Sequence, residues 1–168
     1  KYFMIITNQA CYNGDLIHNR FAYRFFRKEV SPLGNIVAFV APMNVTTNLI
    51  DLEDVLAKDF IASDKAVNFC WEIPNLCPFG AVAFQRLFNA QLASLIFPYI
   101  NQPIHVDGDD LMVNKPFIAH DGTEQECGKL SVSITYSANN VALGHTGINI
   151  NAGPKAPPFA YSTYLTDE

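Results

Sequence analysis

The side chains best suited to chemistry lie in one segment, residues 106–150, in which an acidic cluster is followed by a lysine and then by a glycine-containing stretch. The acidic cluster consists of Asp107, Asp109 and Asp110. Carboxylates this close repel one another unless a cation or a basic side chain lies nearby. The spacing therefore predicts either a Mg²⁺ site, with Asp109 and Asp110 as ligands, or an acidic turn that faces solvent.

Lys129 opens the second part of this segment. Apolar and small polar residues alternate from 129 to 136, which predicts a strand with one face in the core. Lys129 would share the polar face with Ser131 and Ser133, and its ammonium group suits a phosphate or a carboxylate. We predict Lys129 and Asp110 as the catalytic residues and the two serines as substrate or nucleotide contacts. The alternative is an ordinary strand that faces solvent.

Two glycines interrupt the stretch 141–150, which would return beside the lysine strand. Glycine inside a strand often marks a bulge or a close approach of the backbone. Gly144 and Gly147 would therefore open space for a ligand, and His145 between them becomes a candidate contact. The alternative for His145 is a structural role in the core.

Arginines supply further candidate anion contacts. Arg20, Arg24 and Arg27 follow at intervals of four and three residues, which places them on one stripe of a helix. The guanidinium fork matches phosphate and carboxylate oxygens. We predict Arg20, Arg24 and Arg86 as substrate or nucleotide contacts. The alternative is that the stripe is the solvated face of an amphipathic helix.

Composition narrows the class of protein. A net charge of −5 argues against general nucleic-acid binding, and no run of 18 apolar residues predicts a membrane span. The four cysteines have no zinc-type spacing, so we expect no transition metal and mostly buried free thiols in a cytoplasmic protein. The low charged fraction, 16%, leaves apolar surface that favours a homo-oligomer. Serine-hydrolase, P-loop and Rossmann signatures are missing from the sequence.

The chain of 168 residues suits a single domain over 1–168. Hydrophobic periodicity predicts an α+β fold, a mixed and mainly antiparallel sheet with helices packed on one face. The Pro-rich tail, 153–168, should lie extended on the surface. The predicted strands are 2–7, 36–40, 66–73, 111–113, 129–136 and 141–150, and the predicted helices are 18–29, 51–58 and 79–99.

Three motifs resemble the catalytic domain of biotin and lipoate protein ligases, which has a class II aminoacyl-tRNA synthetase-like fold. They are Asp109-Asp110-Leu111, the lysine strand from Lys129 to Ile134, and the strand from Gly144 to Ile150. The chain is also similar to an uncharacterised prokaryotic family of this fold. The resemblance implies that Lys129 contacts an activated carboxylate and its adenylate, that Asp110 helps to hold Mg²⁺ and nucleotide, and that Arg24 lies near a phosphate-binding loop.

The motifs also depart from the ligase pattern. Asp109 replaces an asparagine, Ser133 replaces a glycine, residues 114–127 look like an insertion, and the glycine-rich loop is missing. The leading hypothesis is a ligase-like domain that binds a small carboxylate with ATP and Mg²⁺ for adenylation or acyl transfer. The alternatives are a non-catalytic binding module and a homodimeric interaction protein of the same fold.

Overall fold

The fold is described from a computed structural model, which describes the backbone of residues 3–5 and residues 11–27, 31–47, 49 and 60–165. The predicted helix at 51–58 lies outside these residues. Among the described helices, none is long and apolar enough to cross a lipid bilayer.

Five strands form the main sheet in the order β1-β2-β3-β10-β9. The first pair, β1 with β2, is parallel, and the other pairs are antiparallel. This confirms the predicted mixed, mainly antiparallel sheet of an α+β fold. The strands are β1 (Phe3–Ile5), β2 (Asn35–Val45), β3 (Ile61–Pro74), β9 (Ser131–Ala138) and β10 (Val141–Asn151).

Two small antiparallel sheets are added to this core. One has the order β4-β5-β8 and the other pairs β6 with β7. Their strands are β4 (Ile104–Asp107), β5 (Asp110–Val113), β6 (Phe117–Ile118), β7 (Glu124–Gln125) and β8 (Gly128–Lys129). The pair β6 and β7 lies inside the predicted insertion, which is therefore a short hairpin.

Two described helices cover opposite faces of the main sheet. Trp71 and Glu72 are neighbours on β3, so their side chains face opposite sides. The ring of Trp71 packs against Phe84 and Phe88 of the long helix α2 (Pro78–Ile100), whereas the carboxylate of Glu72 accepts the backbone N–H of Ala22 in the short helix α1 (Phe21–Phe26). The expected packing of helices on one face therefore holds for α2, and α1 covers the other face.

Asparagines occupy the turn after β9 and the end of α2. The hairpin between β9 and β10 has Asn139 and Asn140 at φ 53° and 59°, the left-handed region that asparagine tolerates best after glycine. Helix α2 ends at Asn101, which has φ 47° and donates its backbone N–H to the carbonyl of Phe97. These positions confirm the hairpin and the long helix close to their predicted limits.

The stretch that was predicted as one strand, 129–136, is divided at Leu130. Residue Lys129 pairs with Met112 in the small sheet, whereas β9 begins at Ser131 and pairs with β10. The backbone N–H of Leu130 donates to the carbonyl of Leu111, and the Leu130 carbonyl accepts from Asn149. The division moves Lys129 out of the main sheet, so it does not continue the serine face of β9.

Most of the cysteines are not buried. Cys70 is fully buried on β3 and Cys11 is half-buried. Cys77 and Cys127 are exposed. The expectation of mostly buried thiols was wrong, because two of the four lie in connections between elements rather than in the core.

Candidate functional site

An ion pair joins two of the predicted residues. The Lys129 Nζ atom lies 2.9 Å from Asp110 Oδ1, and both side chains keep 28% of their surface exposed. On β5, Asp110 and Met112 face the same side, and Lys129 lies directly across from Met112. Lys129 therefore reaches Asp110 as a diagonal neighbour in the sheet.

The acidic cluster is a tight hairpin. Asp107 pairs with Asp110 across the two-residue loop of Gly108 and Asp109, with Gly108 at φ 61°. Asp109 Oδ1 lies 3.8 Å from the guanidinium of Arg86 on α2. The structure thus brings Arg86, Asp109, Asp110 and Lys129 together as two neighbouring ion pairs.

Partial burial governs the ionisation of Asp110. Desolvation raises the pKa of this carboxyl, and the hydrogen bond and positive charge of Lys129 act in the opposite direction without cancelling the effect. The nearby charges of Asp109 and Asp107 raise the pKa further. Asp110 is therefore easier to protonate than an aspartate in water.

Basic side chains lie beside two of these carboxylates. Asp109 pairs with Arg86, and Asp110 pairs with Lys129. Among the described residues there is no group of three or more His, Cys, Asp or Glu side chains that could hold a metal ion. The Mg²⁺ site at Asp109 and Asp110 stays a prediction.

A cavity of about 500 Å³ lies beside Lys129, and we call it the Lys129 cavity. Lys129, His120 and Lys155 supply its basic side chains, and most of the remaining wall is apolar. A volume of this size is typical of pockets for small ligands. The other lining residues are Leu49, Phe60, Ile61, Ala62, Ser131, Val132, Asn149, Pro154, Ala156, Pro157, Pro158, Phe159 and Ala160.

Asn149 is a polar residue of this cavity that the sequence prediction did not select. It is 3% exposed, and its Oδ1 atom has no hydrogen-bond partner. Its Nδ2 group donates to the Lys129 carbonyl at 3.4 Å. A buried acceptor without a partner is costly, so this atom is a local defect in the hydrogen bonding beside the cavity. The position of Asn149 in the string Gly147-Ile148-Asn149 was the sequence signal that could have identified it.

The Pro-rich tail forms one wall of the cavity. Its backbone is held to the sheet because Lys129 donates its N–H to the carbonyl of Phe159 and Tyr161 donates to the carbonyl of Lys129. Thr163 donates to the carbonyl of Asn149. The prediction of an extended surface segment holds only in part, because the described tail has turns closed by hydrogen bonds from Ala156 to Gly153 and from Ala160 to Pro157, and Ala156 is buried. The contribution of this segment to a pocket was missed because its partners are remote in sequence.

The two predicted serines are occupied by protein contacts. Ser131 Oγ lines the cavity side of the strand and accepts the backbone N–H of Leu111 at 2.9 Å. Ser133 Oγ lies in a buried network with Gln85, Asn89 and Thr146, at 2.8 to 3.1 Å. Ser133 therefore ties α2 to the sheet in this structure.

The two glycines accommodate large side chains. A Cβ atom on Gly144 would lie 2.3 Å from the indole of Trp71, and one on Gly147 would lie 2.4 Å from the sulfur of Met43. The space that the two glycines were predicted to open for a ligand is therefore filled by Trp71 and Met43 in the described structure.

His145 is buried in the core. Its ring stacks on Tyr12, with 3.6 Å between centroids, and its Nε2 lies 2.9 Å from Asn68 Oδ1. Since Asn68 uses its Nδ2 group to donate to the carbonyls of Ala41 and Ala66, its Oδ1 is the acceptor and Nε2 carries the proton. Desolvation lowers the pKa of His145 to about 3, so the ring is neutral at physiological pH.

Arg20 and Arg24 lie far from the cavity. Both are exposed at α1, where the backbone N–H of Arg20 donates to Glu72. Ala62 in the cavity wall is ten positions from Glu72 along β3 (72 − 62), about 33 Å at the rise of a strand. The structure therefore brings Arg86 close to the Lys129–Asp110 pair but places Arg20 and Arg24 at the other end of the sheet.

The fold and the site together indicate the class of protein. A solved Aquifex aeolicus biotin protein ligase in complex with biotin and ATP has a TM-score of 0.54 and 12% identity, over 95% of this chain and 59% of the ligase. A T. acidophilum protein with bound lipoic acid has a TM-score of 0.53 and 10% identity, over 97% of this chain and 76% of that one. The fold is that of biotin and lipoate protein ligases, and this chain spans about three fifths of the Aquifex ligase.

The particular family follows from sequence and structure. Residues 2–162 match the model of a domain of unknown function, DUF366, and the chain belongs to this family. A Pyrococcus horikoshi protein of unknown function has a TM-score of 0.79 and 26% identity, over 96% of this chain and 80% of that one. No curated protein sequence matches the chain. These findings confirm the predicted resemblance to the ligases. They also confirm the predicted similarity to an uncharacterised family of this fold.

Proposed function

We propose that this chain binds a small carboxylate with an apolar body in the Lys129 cavity. The observation that carries the proposal is the position of Lys129 in the wall of a cavity of about 500 Å³ with otherwise mainly apolar walls. The apolar walls would take up the body of the ligand, and the ammonium group of Lys129 would meet its carboxylate. Two structures of the same fold contain bound biotin and bound lipoic acid, which are ligands of this kind.

Asp110 would hold Lys129 ready for the ligand. The ion pair fixes the lysine side chain when no ligand is bound, and the incoming carboxylate competes with Asp110 for the ammonium group. Lys155 adds positive charge to the same wall. The site thus favours an anion with an apolar body.

Calorimetric titration with octanoate and octanamide tests this binding. These two ligands have the same chain length but differ in charge, so we expect octanoate to bind and octanamide to bind at least about 10-fold more weakly, or 1.4 kcal/mol. Lys129→Met should weaken octanoate binding by a similar factor. The matched control is Lys115→Met, because Lys115 does not line the Lys129 cavity. Equal affinity of the wild type and Lys129→Met would contradict the proposal.

Adenylation is the reaction that the ligase fold suggests for such a ligand. A carboxylate oxygen would attack the α-phosphorus of ATP, pyrophosphate would leave, and Lys129 would stabilise the negative charge that develops on the phosphoryl oxygens. The bound biotin and ATP of the Aquifex ligase support this extension of the proposal. Release of pyrophosphate that depends on both ATP and a carboxylic acid measures it.

A binding function without nucleotide chemistry is the second candidate. It is favoured by the remote position of Arg20 and Arg24 and by the pairing of both aspartates with basic side chains. In this case the carboxylate panel would still bind, and no acid would cause release of pyrophosphate. The two measurements therefore distinguish a ligase from a binding module.

A further inference from the structure

The outward face of helix α2 is apolar and has no partner in the described structure. Its exposed side chains include Phe79, at 82%, Leu87, at 62%, and Leu95, at 65%. With 100° of rotation per residue, these three positions lie on one side of the helix together with Ala83, Ala90, Gln91, Ser94 and Phe97. This group of eight residues is called the α2 face below.

The α2 face carries no charge. Arg86 is the one charged residue in the whole helix, and its guanidinium is occupied by Gln85 and Asp109 beside the face. The inner side of α2 packs on the sheet, with Leu92 and Ala93 in the core and the buried amides of Gln85 and Asn89 hydrogen-bonded to Ser133. A contiguous apolar patch on the surface of a protein usually marks a site of contact with another molecule. The α2 face is therefore a surface that another molecule should cover.

We propose that a second copy of this chain covers the α2 face, with the two helices antiparallel about a twofold axis at the level of Asn89. In that arrangement Ala83 of one copy lies opposite Leu95 of the other, and Leu87 lies opposite Gln91. Large side chains thus meet small or flexible ones, which a self-complementary interface requires. The inference is independent of the proposed function, because the face lies outside the Lys129 cavity.

The area of the α2 face is sufficient for this occupant, and the charge of the face does not oppose it. Helix α2 has 23 residues and is about 34 Å long, and pairing two such faces would bury on the order of 1,000 Å² in total. This area is at the lower limit for a specific interface, which predicts a dimer that forms at micromolar concentration. Two chains of net charge −5 repel each other, but an uncharged contact face adds no local repulsion.

Sedimentation velocity with opposite charges at one position tests the dimer. We expect wild type to sediment as a dimer at tens of micromolar, and Leu87→Glu and Leu87→Lys each to sediment as a monomer at the same concentration. An equimolar mixture of the two variants should restore the dimer, because residue 87 of one copy lies within a turn of residue 87 of the other. The control is Leu33→Glu, which is 65% exposed in a turn outside α2 and should leave the dimer intact.

Three results would overturn the proposal. Wild type could sediment as a monomer, Leu87→Glu could remain a dimer, or the mixture of charged variants could stay monomeric although both retain the wild-type circular dichroism spectrum. A monomer that co-sediments with phosphatidylcholine vesicles would indicate that a lipid surface covers the α2 face instead. Restoration of the dimer in the mixture is a result that neither a lipid surface nor a different protein partner produces.

Discussion

Burial of His145 makes the stability of the folded chain depend on pH. Its pKa falls from 6.5 to about 3 in the folded chain because the ring is completely desolvated. Between these values the unfolded chain binds a proton that the folded chain does not, so the stabilisation present above pH 6.5 is lost as the pH falls. We expect the free energy of unfolding to decrease by about 2–3 kcal/mol between pH 7 and pH 4.5 from this group alone.

Urea denaturation of matched variants measures this contribution. His145→Gln removes the titrating group, and its free energy of unfolding should vary less over this pH range than that of the wild type. His105→Gln changes an exposed histidine on β4 and should keep the wild-type slope. Parallel slopes for wild type and His145→Gln would show that the buried ring does not titrate as described.

Asp110 should set how tightly the Lys129 cavity holds an anion. Its pKa is raised by partial burial, so protonation begins at a higher pH than for an aspartate in water and then releases Lys129 from competition. We expect octanesulfonate, which stays ionised throughout, to bind more tightly as the pH falls towards the raised pKa of Asp110. Asp110→Asn should bind it several-fold more tightly at pH 7 and lose most of the pH dependence. A steeper pH dependence in Asp110→Asn would contradict competition between the two anions.

At the scale of the elements, Gly144 determines how closely β10 and β3 can pack with α2. Its missing side chain leaves room for the indole of Trp71, which in turn packs against Phe84 and Phe88. We expect Gly144→Ala to reduce the free energy of unfolding by about 1–3 kcal/mol, the usual effect of overpacking a core. Chemical denaturation checks this value, and the smaller ring of Trp71→Phe should recover part of the loss in the double variant.

Gly80 is the control for the prediction at Gly144. It lies in the first turns of α2, and a Cβ there would meet the flexible end of Leu76 at 3.0 Å. Gly80→Ala should leave the stability unchanged or raise it by up to about 1 kcal/mol, since alanine favours the helix. A loss at Gly80 as large as that at Gly144 would show that the indole contact is not the cause.

The elements also show which features a sequence can reveal. Long α2 and the strands β3, β9 and β10 were predicted because each has several residues with one clear hydrophobic period. Strands of two to four residues, such as β4 and β8, have too few residues for a period, and their pairing depends on contacts with remote segments. The break at Leu130 was missed for this reason, since the alternation continues through it.

The candidate site also depends on contacts between segments that are remote in the sequence. The resemblance singled out Lys129 and Asp110 as residues of one site, and the structure places them in an ion pair. The role of the tail in the cavity depends on backbone hydrogen bonds such as that from Lys129 to Phe159, which leave no mark on the local sequence. His145 was ambiguous because its neighbours Tyr12 and Asn68 are far away in the chain.

At the scale of the whole molecule, two cores share one sheet. The cluster around Phe21 and Cys70 lies on one face, and the cluster around Leu92 and Leu111 lies on the other. Because β3 and β10 contribute to both, unfolding of either core removes a wall of the other. The sheet therefore couples the two cores energetically.

This coupling predicts one cooperative unfolding transition. Trp71 is the only tryptophan in the chain and is buried on the α2 side of the sheet, so its fluorescence reports that core alone. We expect fluorescence and far-ultraviolet circular dichroism to give the same urea midpoint. Phe21→Ala, on the opposite face, should lower both midpoints together, in line with a loss of about 3–5 kcal/mol for a buried phenylalanine. If Phe21→Ala shifted the dichroism midpoint but left that of Trp71 unchanged, the two cores would unfold independently and the chain would contain two folding units.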